Sequence, residues 1–69
     1  MELTWENDAV ISVKQDGKTV QISANRAGLR SLASHLAALA QEPPGSHVHL
    51  DEYNALEDGS SELIIEITA

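Results

Sequence analysis

The sequence predicts an α+β domain of order β-β-α-β-β: one small, mostly antiparallel sheet with a single helix packed on one face. Three observations lead there. Apolar residues between Asn25 and Gln41 recur at three- and four-residue steps. Two alternating runs flank an Asp16-Gly17 pair. Two further alternating runs follow the breaker Pro43-Pro44. A helix with one apolar face needs a sheet to lie on, and the flanking strands supply it.

Leu3 and Trp5 alternate weakly within Glu2–Glu6, enough for a short extra strand, and Asn7-Asp8 is a turn-prone pair. Ala9–Lys14 and Lys18–Ala24 then form a hairpin. Asp-Gly at its centre predicts a type I′ turn, which needs positive φ at both central residues. That turn would set Gln15 opposite Lys18, Val13 opposite Val20 and Ile11 opposite Ile22. The four β-branched residues Ile11, Val13, Val20 and Ile22 then share one face, extended by Ala9 and Ala24. The other face, with Val10, Ser12, Lys14, Thr19, Gln21 and Ser23, is mostly polar.

Asn25 is the expected N-cap, its side-chain oxygen accepting from a first-turn amide. Leu29, Leu32, Ala33, Leu36, Leu39 and Ala40 form the apolar stripe. Gly28 falls in the first turn, where a glycine is tolerated, and it would also permit a close approach to the sheet. Pro43-Pro44 ends the helix near Gln41 or Glu42. Ser46–Asp51 follows as a strand with Val48 and Leu50 inward and His47, His49 and Asp51 outward. Glu52–Ser61 is a polar loop with an Asp58-Gly59 turn. Glu62–Thr68 closes the chain as a strand, with Leu63, Ile65 and Ile67 facing one way and Glu62, Ile64, Glu66 and Thr68 the other.

Sixty-nine residues make one domain, residues 1–69, with one modest core. The absence of cysteine excludes disulfides and thiolate chemistry and fits a reducing cytoplasm. No apolar run approaches a membrane span, and the acidic N-terminus lacks the apolar core of a signal peptide. The net charge of −7 is uneven. Residues 1–30 carry four acids and four bases; residues 31–69 carry seven acids and no Lys or Arg. Such a field repels nucleic acid and anionic lipid and favours a basic protein partner. An acidic surface also simply keeps a small protein soluble.

Catalysis finds no motif. No serine is tied to a histidine and an acid, the adjacent pairs Asp51-Glu52 and Glu57-Asp58 are not opposed carboxylates, and the glycines fit no phosphate loop. The chain reads as a non-enzyme needing no cofactor. His47, His49 and Asp51 alternate on one strand face and suggest a metal site. As a trio they lack further ligands tied to them by spacing, so the expectation is no metal there and a solvated or partner-facing strand. A metal-binding module or metal-dependent enzyme built on them remains the alternative, as does a homodimer formed through a sheet edge or the face carrying Val10 and Ile64. The loop is the better candidate surface. Asp51, Glu52, Tyr53, Leu56, Glu57 and Asp58 combine acids with an aromatic and an aliphatic anchor, a composition found at interfaces.

Several short runs carry a family resemblance: Ala24-Asn25 with Gly28-Leu29 and Ser31-Leu32-Ala33, then Gly45-Ser46-His47, His49-Leu50-Asp51, Leu56-Glu57, Gly59-Ser60 and Glu62-Leu63. Together, over about Ile22 to Ile67, they resemble immunity protein family 32 of the bacterial polymorphic-toxin systems. The resemblance implies a small cytoplasmic antidote that binds the toxin domain encoded beside it and blocks its active site or an essential surface. It carries over no residue-level interface. Many such toxins are nucleases with basic clefts, which the acidic half of this chain would complement.

Overall fold

β1 (Ile11–Asp16) and β2 (Thr19–Ala24) form an antiparallel hairpin in the computed structural model, which describes residues 4–69. α1 (Arg26–Leu39), β3 (His47–Leu50) and β4 (Leu63–Glu66) follow, giving the expected β-β-α-β-β order of an α+β fold. The strands divide into two two-stranded antiparallel sheets, β1-β2 and β3-β4, where the sequence led us to expect one. The reason lies at the second edge of β1. That edge is taken by loop backbone, not by a strand: the Glu57 amide donates to Ile11 O (2.8 Å) and the Ser61 amide to Val13 O (2.7 Å).

The hairpin register differs from expectation by two residues. Asp16 faces Thr19, Val13 faces Ile22 and Ile11 faces Ala24, so Gly17-Lys18 forms the loop. Gly17 has φ of 60°, and among the described residues only glycines take positive φ. A glycine at the first central position satisfies a type II′ turn, whereas the expected type I′ turn would have forced Asp16 into the left-handed region. A shift of two preserves the faces. Ile11 and Val13 are buried, but Val20 and Ile22, on the same face, lie beyond the core and are exposed.

Asn25 caps α1 as expected, accepting from the Gly28 amide at 2.8 Å. The same carboxamide accepts from the Val10 amide (3.1 Å) and donates to Asp8 O (2.6 Å), which fixes the incoming chain against the helix start. The Asn7-Asp8 turn is present, closed by the Ala9 amide on Glu6 O. The short strand suggested for Leu3–Glu6 falls partly outside the described residues. Thr4 to Glu6 are not in a strand and bond to the helix: His35 Nε2 lies 2.7 Å from Thr4 O, and the Glu6 amide donates to Ser31 Oγ (3.0 Å). Trp5 is partly buried, packs on the core and meets His35 edge-on, with ring centroids 4.0 Å apart.

The helix is rolled relative to the expected stripe. Its buried face is Ala27, Gly28, Ser31, Leu32, His35 and Leu39. Leu32 and Leu39 are inside as expected, while Leu29 and Leu36 are exposed. Gly28 proves to be a close-approach glycine, because a Cβ there would lie 2.7 Å from Val10 O and 2.9 Å from Ile11 Cγ1. The core gathers Ile11, Val13, Leu32, Leu50 and Leu56, with Trp5, Ala24, Ala55, Leu63 and Ile65 packed against it.

Candidate functional site

The acidic loop is a built structure. Asp51 opens it: its carbonyl accepts from the amides of Asn54, Ala55 and Leu56, and its side-chain Oδ1 accepts from the Tyr53 amide (2.9 Å), an Asx turn. Asn54 returns to the strand, accepting from the Asp51 amide (2.9 Å) and donating to His49 O (2.8 Å). Glu52 clasps the far side, its Oε2 accepting from the Gly59 amide at 2.8 Å. Gly59 has φ of 84°, a backbone region that favours glycine. Ser60 Oγ accepts from the Val13 amide (3.2 Å), and Lys14 Nζ donates to Gly59 O (3.1 Å). Side-chain and backbone bonds together tie the loop to β1 and to the end of β3.

Leu56 requires a correction. It is 5% exposed and belongs to the core cluster, so it ties the loop to the domain and offers little surface, where the sequence suggested an exposed anchor. Composition alone does not separate the two roles, since a lone leucine in a polar loop serves either. Tyr53 is 94% exposed. Glu52, Glu57 and Asp58 are exposed and Asp51 is half-buried. The exposed aliphatic residue in this part of the chain is Ile64, on the outward face of β4 directly opposite His49 in the β3-β4 register. His47 faces Glu66 in the same register. His47, His49, Glu62, Ile64 and Glu66 therefore continue the acidic surface along the outer side of the second sheet.

The structure also rearranges the histidine trio. His49 and Asp51 stay together, His47 is not among them, and Glu62 enters: His49, Asp51 and Glu62 each place a ligand atom within 4.8 Å of the others. His49 Nε2 is 2.9 Å from Glu62 Oε2. Strand alternation could reveal His49 and Asp51; Glu62 comes from across the loop, through the pairing of Leu50 with Leu63.

A second exposed apolar set, Val20, Ile22, Leu29 and Leu36, lies on β2 and on the uncovered flank of α1. The sequence pattern placed Val20 and Ile22 on the same strand face as Ile11 and Val13, and Leu29 and Leu36 on the apolar stripe of the helix. Among the described residues no helix is long and apolar enough to cross a membrane.

Neither the curated proteins nor the solved structures include a match to this chain. The family model described as Immunity protein 32 matches residues 19–68, from the first residue of β2 past the end of β4, and the chain belongs to that family.

Proposed function

We propose that this chain is a non-catalytic antidote that acts in the cytoplasm, binding a cognate toxin domain through its acidic surface and blocking that domain's active site or an essential face. The observation that carries the reading is the placement of charge on a fixed scaffold in a member of an immunity-protein family. All seven acids of residues 31–69, unaccompanied by Lys or Arg, follow the first turns of α1. The loop bearing four of these acids is pinned to β1 by backbone bonds. A preformed surface loses little conformational entropy on binding. Its charge speeds encounter with a basic partner.

Asp51, Glu52, Glu57 and Asp58 supply the field, and Tyr53 is the exposed aromatic anchor. Ile64 on β4, framed by Glu62 just before the strand and Glu66 at its end, takes the aliphatic role first assigned to Leu56. The partner surface that fits is basic, such as the phosphate-binding cleft of a nuclease toxin. Binding of this kind requires no cofactor.

Coexpression tests the reading. The toxin-like domain encoded beside this gene is expressed with and without the chain. Growth rescue together with a copurifying complex is the expected result. Toxicity that the chain fails to relieve, with no complex recovered, would overturn it.

A further inference from the structure

We propose that His49, Asp51 and Glu62 form a surface site for a divalent transition-metal ion, with zinc the best-matched ion. The site does not depend on the toxin-binding reading, although its three ligands lie on the same acidic surface. Its first support is geometry. Donor atoms bound to one zinc ion at about 2.0–2.2 Å stand roughly 3–4 Å apart. His49 Nε2 and Glu62 Oε2 are already 2.9 Å apart, and one Asp51 oxygen lies within 4.8 Å of both ligand atoms. All three side chains reach solvent, so small rotations close the remaining gap.

The donor chemistry selects the class of ion. One imidazole nitrogen and two carboxylate oxygens suit zinc and its neighbours. Calcium asks for six to eight oxygens, and thiolate-seeking metals find no cysteine here. Three protein ligands leave a fourth position for water, the arrangement of an open, exchangeable site. Charge agrees: two carboxylates balance a doubly charged ion. No Lys or Arg occurs after Arg30 to offer these carboxylates a competing cation from the same half of the chain.

The ligands are also braced from behind, as metal ligands usually are. Asp51 Oδ1 is held by the Tyr53 amide, which leaves the other carboxylate oxygen available. The Asn54 side chain bridges the Asp51 amide and the His49 carbonyl, locking two ligand-bearing residues to each other. His49 lies in β3 and Glu62 immediately precedes β4, so the paired strands set their separation.

The test is titration of the intact chain with zinc chloride, followed by calorimetry and by the imidazole signals of the three histidines. The expected result is saturable one-to-one binding at micromolar zinc that shifts the His49 ring. His49→Ala and Glu62→Gln should each weaken binding by about 10-fold or more, while His47→Ala leaves it unchanged. Zinc should raise the thermal midpoint of the unsubstituted chain and not that of Glu62→Gln. Glu62→Gln preserves side-chain shape and decides the matter if His49→Ala fails to fold. The proposal is overturned by absence of saturable binding at micromolar zinc, by full binding in Glu62→Gln, or by a loss in His47→Ala as large as in His49→Ala.

Discussion

The backbone amide of Ser61 donates to the carbonyl of Val13 at 2.7 Å, and that bond helps make the acidic loop the second pairing partner of β1, opposite β2. Ser60 completes it by accepting from the Val13 amide through Oγ. Val13 is fully buried, so its N–H has no access to water if the hydroxyl is lost. Ser60→Ala is expected to destabilise the domain by about 1–3 kcal/mol. Chemical denaturation measures the loss, and hydrogen exchange should show the Ser61 and Glu57 amides less protected in the variant.

Gly28 lies where α1 crosses the start of β1. Gly28→Ala drives a methyl into the Val10 carbonyl and the Ile11 side chain, and the first of these contacts is backbone that moves only with the strand. The gain in helix propensity from alanine is up to about 1 kcal/mol, and a first-turn position realises only part of it. Overpacking of this kind costs about 1–3 kcal/mol, so the net effect is destabilising. A thermal midpoint raised by the substitution would contradict the packing.

Leu32 and Leu36 separate the observed helix orientation from the one periodicity suggested. Leu32 is buried among Ile11, Val13 and Leu50, and Leu32→Ala should cost about 2–5 kcal/mol. Leu36 is 41% exposed. Leu36→Ala should therefore cost no more than about 1–1.5 kcal/mol. Equal losses in equilibrium unfolding would mean that the helix presents both residues to the core.

Glu6 and Arg30 make a two-pronged contact at 3.0 and 2.8 Å on the protein surface. The Arg30 hydrogen bond holds the Glu6 carboxyl below its ordinary range of 4.5, and the same bond raises Arg30. Depression of a folded-state carboxyl means stability present above the unfolded value and lost as pH falls through the folded one. The pair is exposed, so its contribution is small and screened by salt. Glu6→Gln should leave the acid limb of the stability profile slightly flatter below about pH 4.5, and added salt should shrink the difference between the two proteins.

The parts legible in the sequence were those settled by neighbours in the chain. Asn25 as N-cap, the Asp-Gly hairpin, a helix end ahead of Pro43 (at Leu39, a little before the expected Gln41 or Glu42) and the alternation of Val48 with His49 each follow from local backbone chemistry. What escaped depended on contacts between distant segments. An Asp-Gly pair permits two placements of a two-residue turn, and only the pairing partners choose between them. The apolar arc of α1 is wider than the face one sheet covers, and the flank that stays inside is the one carrying His35, against which Trp5 packs. Leu56 looked like a surface anchor because its loop is polar, yet the loop folds inward there to meet β1. Glu62 joined His49 and Asp51 only once β3 and β4 were in register.

The acidic loop as recognition surface is tested most directly by the rate at which this chain associates with the toxin domain encoded beside it, followed across ionic strength. The comparison is with a variant carrying Asp51→Asn, Glu52→Gln, Glu57→Gln and Asp58→Asn, which retains the carbonyl acceptors that Tyr53 and Gly59 use. At low salt the variant should associate about 10-fold or more slowly, with unchanged circular dichroism, and the two rates should converge as salt rises. A variant that associates as fast as the unsubstituted chain at every salt concentration would place the recognition surface elsewhere on the molecule.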